Sequence, residues 1–128
     1  MKKYLITGGD GRFARELKKS FNNKKFIFLN KRSLNILKRK QIEQKIKQYK
    51  PYAIIHLAGL SRPMIMHEKN ITKSINLNII GTSNIVIESA KRNVKVIYFS
   101  TNYIYPGIKG NYAEVSPLLP LNNYSWSK

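Results

Sequence analysis

The sequence has no cysteine. That absence excludes a disulfide framework and a thiolate metal site, and it leaves the redox compartment open. No apolar run approaches the ~18 residues that a membrane-crossing helix needs. The N-terminal run Tyr4-Leu5-Ile6 meets Gly8 and Gly9 too early to form the core of a secretory signal, so the expected location is cytoplasmic. Acidic residues are scarce: six Asp and Glu stand against 24 Lys and Arg, a formal net charge of +18 over 128 residues. Such a surplus attracts polyanions non-specifically. A specific nucleic-acid partner is not expected, because the basic residues are dispersed, without a run of five or six and without an aromatic-basic module.

What is present reads as one domain, with 42% hydrophobic residues and a length sufficient to bury a core. Lys2 to Ile6 has the composition of a strand that glycines end. Phe13, Leu17 and Phe21 follow at helical spacing, so a helix opens inside Thr7-Gly8-Gly9-Asp10-Gly11-Arg12-Phe13-Ala14. A strand, a Gly-rich turn and a helix are the mechanical context of a dinucleotide-binding loop. Gly8 suits the tight turn, Gly11 lets backbone approach a pyrophosphate, and Ala14 keeps helix and strand close. Arg12 and Phe13, at the helix start, are further candidates for cofactor contact. The uncapped N–H groups of a helix N-terminus favour phosphate.

Phe26 to Leu29 is a continuous apolar run, as in a parallel strand buried on both faces. After it, where an NAD-preferring unit places an acidic residue for the ribose, stand Asn30, Lys31 and Arg32; the two cations suit a 2′-phosphate and favour NADP over NAD. Ile42, Ile46 and Tyr49 define a helix that Pro51 stops. Tyr52 to Leu57 is a third strand, followed by Ala58 and Gly59, whose small size suits close approach to a ligand. His56, inside that apolar run, reads as a hydrogen-bonded structural histidine.

The stretch Leu60 to Lys69, with Ser61, Arg62 and His67, is either a substrate-facing loop or a plain connection. A long helix is expected from about Ile71 to Lys91. Ile75, Ile79, Val86 and Ala90 form its apolar stripe, widened by Leu77, Ile80 and Ile87. So broad a face predicts burial against the sheet plus a second surface, a candidate homodimer contact. Asn78 and Gly81-Thr82 interrupt it toward the cofactor crevice. Val94 to Phe99 is a fourth strand ending in Ser100-Thr101. Alternating strands and helices predict an α/β, Rossmann-type doubly wound parallel sheet of four strands. The expected order is 3-2-1-4, with the switch point between the glycine loop and Thr101.

Tyr124 and Lys128 are four residues apart and share a helix face. An ammonium beside a phenol stabilises the phenolate and brings its pKa toward the working range. Thr101 offers a hydroxyl to orient a carbonyl or alcohol. Together the three suit hydride transfer at a carbonyl.

Four pieces occur in order: T-G-x-x-G-x-x-A at 7–14, H-L-A-G at 56–59, S-T at 100–101 and Y-x-x-x-K at 124–128. In that order the chain resembles the extended short-chain dehydrogenase/reductase family of NAD-dependent sugar epimerases, dehydratases and reductases. Asn78-Ile79-Ile80-Gly81-Thr82 matches the family's N-x-x-G-T, and Pro120 with Asn122-Asn123-Tyr124 its approach to the tyrosine. The resemblance implies catalytic roles for Thr101, Tyr124 and Lys128. It implies cofactor contact for Gly8, Gly11 and Ala14, and for Asn35-Ile36, which stands where the family often has Asp and an apolar residue near the adenine. The run Phe99 to Gly107 is most similar to that of the dTDP-4-dehydrorhamnose reductases, which implies a nucleotide-sugar substrate. Asn102 and Tyr103, in place of the Asp and Glu of sugar-nucleotide dehydratases, argue against dehydration; 4-epimerisation stays open. A small non-catalytic nucleotide-binding protein is the competing class. Because family members continue past the Tyr-Lys motif into a substrate domain, the 128-residue chain is expected to be an N-terminal fragment, itself inactive in hydride transfer.

Overall fold

The computed structural model describes residues 1–21 and 23–128. Four short strands, β1 (Tyr4–Thr7), β2 (Phe26–Leu29), β3 (Ala53–His56) and β4 (Lys95–Tyr98), form one all-parallel sheet. Helix α1 (Arg12–Ser20) joins β1 to β2, and α2 (Arg39–Tyr49) joins β2 to β3. Between β3 and β4 run α3 (Ile65–Lys69), α4 (Ile71–Ser74), a π-helical stretch Ile75–Ile80 and α5 (Gly81–Ala90). A 3₁₀ turn (Asn102–Ile104) and the short α6 (Asn123–Trp126) follow β4.

The strand order is β2-β1-β3-β4, which corrects the expected 3-2-1-4. β3, not β4, is the neighbour of β1 on the side away from β2. The chain reverses direction across the sheet one crossover early: α2 carries it back over β1. Right-handed crossovers in opposite directions place α1 on one face and α2 and α5 on the other. The interior positions go to the strands with least polar character. Ala53 and Ile54 of β3 are buried, whereas Lys95 and Ile97 of β4 are exposed.

The register aligns Leu5 with Ile27 and Ile54, and Ile54 with Val96, so alternate side chains face α2 and α5 as one apolar row. Leu5, Ile42, Ile54 and Ile85 are fully buried in that layer, each contributing about 1.5–3 kcal/mol over an exposed position. Two residues further along each strand, the row Leu29–Thr7–His56–Tyr98 crosses the carboxyl ends of the strands. Doubly wound sheets place ligands beyond that edge.

The helical run from Ile71 to Ala90 is as expected, but its orientation is not. Ile75, Ile79, Val86 and Ala90, the stripe expected against the sheet, point outward, and Ile80 and Ile87 are exposed with them. The buried line is small and polar apart from the core residue Ile85: Ser74, Asn78, Gly81, Asn84, Glu88 and Ser89. The reason is close packing plus satisfied polar groups. Gly81 lies against Ile36, where a Cβ would come within 2.8 Å of Ile36 Cγ1. Asn84 Nδ2 donates to the Ile36 carbonyl at 3.1 Å. Glu88, with a side chain only 5% exposed, accepts from Arg39 at 2.7 Å, Lys91 at 3.1 Å and Arg92 at 3.1 Å. Arg39 foremost, then Lys91, holds its carboxyl below the usual range.

Candidate functional site

The glycine loop is built by contacts that leave no room for side chains. Gly8 has φ +69°, and a Cβ there would fall 2.8 Å from the nitrogen and Cα of Ala58. β1 and β3 are therefore pinned together at the switch point, which lies between Gly8 and Ala58-Gly59 rather than between Gly8 and Thr101. Gly9 N–H donates to the Leu29 carbonyl at 2.8 Å, and Gly11 N–H to the Gly8 carbonyl at 2.9 Å. Gly11, in extended conformation, is the N-cap of α1 and brings no capping side chain, and the first turn of the helix has no acidic residue. The leading N–H groups of this nine-residue helix thus face the cleft with the positive end of the dipole behind them.

A cleft of about 270 Å³ opens beside the loop, and Gly8, Gly11, Ala58, Gly59, Asn35 and Ile36 all line it. Lys31 lines it; Arg32 does not. A broader depression of about 890 Å³ continues along α1 past Arg12, Phe13 and Ser61. Asn30 is committed to its own turn: its Oδ1 accepts from Arg32 N, Ser33 N and Ser33 Oγ. The position that would accept a ribose hydroxyl therefore has its acceptor occupied, and an amide donor and the Lys31 ammonium remain nearby.

His56 ties the carboxyl ends of the strands to α5. Thr7 Oγ1 accepts from the backbone N–H groups of Leu57 at 3.2 Å and Ala58 at 3.0 Å, so its own proton goes to His56 Nδ1, 2.7 Å away. That fixes the tautomer: Nε2 carries the hydrogen and donates to Thr82 Oγ1 at 3.1 Å. Burial first, and the Lys128 charge second, push the His56 pKa down to about 4. The ring is neutral at physiological pH and acts as a structural bracket.

Thr101, Tyr124 and Lys128 come to the same end of the sheet. Thr101 Oγ1 caps the turn at 102–104 by accepting from Tyr103 N at 3.3 Å. Tyr103 meets the Tyr124 ring edge-on, centroids 5.9 Å apart. Tyr124 lies in α6, which a capping box between Asn122 and Ser125 opens. The helical turn ends at Trp126, so Lys128 lies past it. The Lys128 ammonium stands 4.6 Å from the centre of the Tyr98 ring, and burial lowers its pKa. Among the described residues no hydrogen bond joins Tyr124 and Lys128. Burial, and then the proximity of Tyr124, raises the pKa of the Tyr98 phenol.

Asn78, a cofactor candidate from the sequence, lies behind the cleft. It is buried in the π-helical stretch, with Oδ1 accepting from Leu60 N at 2.7 Å and Nδ2 donating to the Leu60 carbonyl and to Ser127 Oγ, both at 2.8 Å. It clamps the loop after β3 to the C-terminal segment, and a Cβ on Gly59 would come within 2.9 Å of its Oδ1. Sequence reasoning missed the placement of His67, which is buried on a helix, α3, where only a loop was expected. A five-residue element without an N-cap side chain leaves no readable signal.

Comparison with known proteins places this geometry. The family model described as RmlD substrate binding domain matches residues 1–128. Methionine adenosyltransferase 2 subunit beta of Xenopus tropicalis is 32% identical over 97% of this chain and 40% of its own length. Spore coat polysaccharide biosynthesis protein SpsK of Bacillus subtilis is 29% identical over 100% of this chain and 46% of its own. The crystal structure of dTDP-4-dehydrorhamnose reductase from Bacillus anthracis in complex with NADP superposes with a TM-score of 0.91 at 28% identity, over 99% of this chain and 46% of that one. The chain thus spans about 40–46% of the length of the relatives it matches.

Proposed function

The chain belongs to the RmlD substrate binding domain family, and from that membership we propose that it binds a nicotinamide dinucleotide, NADP in preference to NAD, for hydride transfer at the carbonyl of a nucleotide-linked sugar. The observation that carries the reading is the uncapped start of α1 behind Gly8 and Gly11, opening on a cleft that Lys31, Asn35 and Ile36 complete. In this reading the α1 N–H groups and Arg12 hold the pyrophosphate. Ile36, with Asn35, faces the adenine, and Lys31 pairs with the 2′-phosphate. Arg32 assists only through its charge. The cofactor supplies the hydride.

The protein's own residues handle the proton and the orientation. Thr101 Oγ1 donates to the sugar carbonyl and fixes its plane. Tyr124 gives its phenolic proton to the oxygen as the alcohol forms. Lys128 contributes positive charge that stabilises the resulting phenolate. His56 stays neutral and holds the ends of β1, β3 and α5 in register. A homologous structure in complex with NADP, a reductase of dTDP-4-dehydrorhamnose, supports both the cofactor and the substrate class.

The direct test is titration of the chain with NADPH and NADH, followed by quenching of Trp126 or by calorimetry. Saturable binding, tighter for NADPH and lost in Gly8→Ala, is expected; absence of binding at millimolar dinucleotide overturns the proposal. An epimerase of the same family would take up and return the hydride, so net oxidation of NADPH separates reductase from 4-epimerase.

One observation favours a second reading, a dinucleotide-binding protein without turnover. The Lys128 ammonium is engaged with Tyr98 rather than Tyr124, and a relative at 32% identity is named as a subunit of methionine adenosyltransferase. Dinucleotide binding with no hydride transfer to any sugar nucleotide, in the protein extended to the relatives' length, is the outcome that selects it.

A further inference from the structure

A cluster that the proposed chemistry leaves unused lies against Tyr124. His67, on α3, is fully buried, and its Nδ1 lies 2.7 Å from Ser74 Oγ, itself fully buried. Among the described residues its other nitrogen, Nε2, has no hydrogen-bond partner. The imidazole centroid lies 4.8 Å from that of the Tyr124 ring, with the planes inclined at 53°. The same segment grips the start of α6 at a second point. Glu68 Oε2 accepts from Asn123 Nδ2 at 2.7 Å and Glu68 Oε1 from Asn123 N at 3.4 Å, while the His67 carbonyl accepts from Asn123 Nδ2 at 3.4 Å.

We propose that His67 is a positioning residue for Tyr124, a hydrogen-bonded wall that sets the orientation of the phenol ring. The proposal rests on the reading of Tyr124 as proton donor. Three physical points carry it. A four-residue helix lacks the internal hydrogen bonds to fix its own side chains, so the placement of Tyr124 must come from what it touches. A leucine at 67 would fill the space without burying a nitrogen that lacks a partner; the imidazole brings what leucine cannot, a flat ring whose rotation the Ser74 bond restrains. Tyr103 also meets the phenol edge-on, so Tyr124 touches both an aromatic edge and a tethered ring, with Glu68 anchoring the backbone beside it.

The test uses the chain with its tyrosines carbon-13-labelled at Cζ, the Tyr124 resonance being identified by its loss in Tyr124→Phe. In His67→Phe and Ser74→Ala, which remove the tether from either end and keep an aromatic ring at 67, the Tyr124 resonance is expected to shift or broaden. The resonances of Tyr49 and Tyr112 should stay in place, and the NADPH dissociation constant should change less than twofold. If His67→Phe does not fold, Ser74→Ala carries the test alone. An unmoved Tyr124 resonance in folded Ser74→Ala overturns the proposal, as does movement of all tyrosine resonances together, which marks a general packing role. Loss of NADPH binding in the unsubstituted chain would instead sink the functional reading beneath it, a separate result.

Discussion

Adding one carbon to Gly8 would force a collision with the Ala58 backbone at 2.8 Å, in a conformation (φ +69°) that side chains rarely adopt. The left-handed backbone alone costs about 1–2 kcal/mol, and the clash adds to it. Gly8→Ala should therefore lower the thermal midpoint and reduce dinucleotide affinity at least tenfold, measured by calorimetry. His56 gives a pH signature. Its pKa falls from 6.5 when unfolded to about 4 when folded, so below pH 6.5 the unfolded chain binds a proton that the native chain refuses. Stability is complete above that value and declines as pH drops toward 4, by about 3 kcal/mol. Denaturant melts at pH 7.5, 5.5 and 4.5 should show the decline, and His56→Gln should flatten that part of the slope; a flat profile in the unsubstituted chain would contradict it. At Lys31 the expected outcome concerns cofactor choice. Lys31→Glu should weaken NADPH at least tenfold more than NADH, whereas Arg32→Glu, outside the cleft, should weaken both slightly and equally. Equal losses for both dinucleotides in Lys31→Glu would leave the 2′-phosphate without its partner.

Among the elements, the helical run from Ile71 to Ala90 presents an unusual balance. It spends its small and polar residues on the sheet and turns Ile75, Ile79, Ile80, Val86 and Ile87 outward. An apolar stripe of that length on a helix gains by being covered. We expect it to form the contact of a homodimer, and Ile79→Lys with Val86→Lys to shift sedimentation toward monomer while circular dichroism stays unchanged. No shift would remove the helix from the interface. The inversion also explains why periodicity misled. Hydrophobic spacing identifies that a helix has an apolar side, but which side meets the sheet depends on how closely backbones approach, and Gly81 and Asn84 permit an approach that isoleucines would prevent.

At the scale of the molecule, the exposed surface is 8644 Å², against roughly 7,000 Å² for a compact monomer of this mass. Among the described residues β4 has no strand on its outer edge, and Ile97, Phe99 and Trp126 are exposed. Unpaired strand edges recruit other strands. The net charge of +18 opposes self-association, and salt screens it. Association of the chain should therefore rise with ionic strength, whereas any binding to polyanions through dispersed lysines should fall steeply. Light scattering and filter binding across 50–500 mM salt, roughly a threefold change in Debye length, check both signs; sequence-selective, salt-resistant nucleic-acid binding would contradict the second.

The sequence by itself determined what is local. The four strands follow from short apolar runs, the turn at Gly8 to Gly11 from residues without side chains, and the end of α2 from Pro51, because each depends on neighbours a few residues away. The resemblance to reductases of nucleotide-linked sugars was equally legible, since motif residues sit at fixed intervals along the chain. Tertiary structure alone decided the rest. β3 lies beside β1 because α2 crosses back over the sheet, and either crossover would have satisfied the same strand pattern. Asn78 joins the loop after β3 to the C-terminal segment because its amide bonds both Leu60 and Ser127, and the turn after β2 brings Lys31 rather than Arg32 to the cleft. His67 reached Tyr124 across 57 positions of sequence. Such pairings are set by packing between elements, an energy shared among distant residues that leaves no spacing to read in any one stretch.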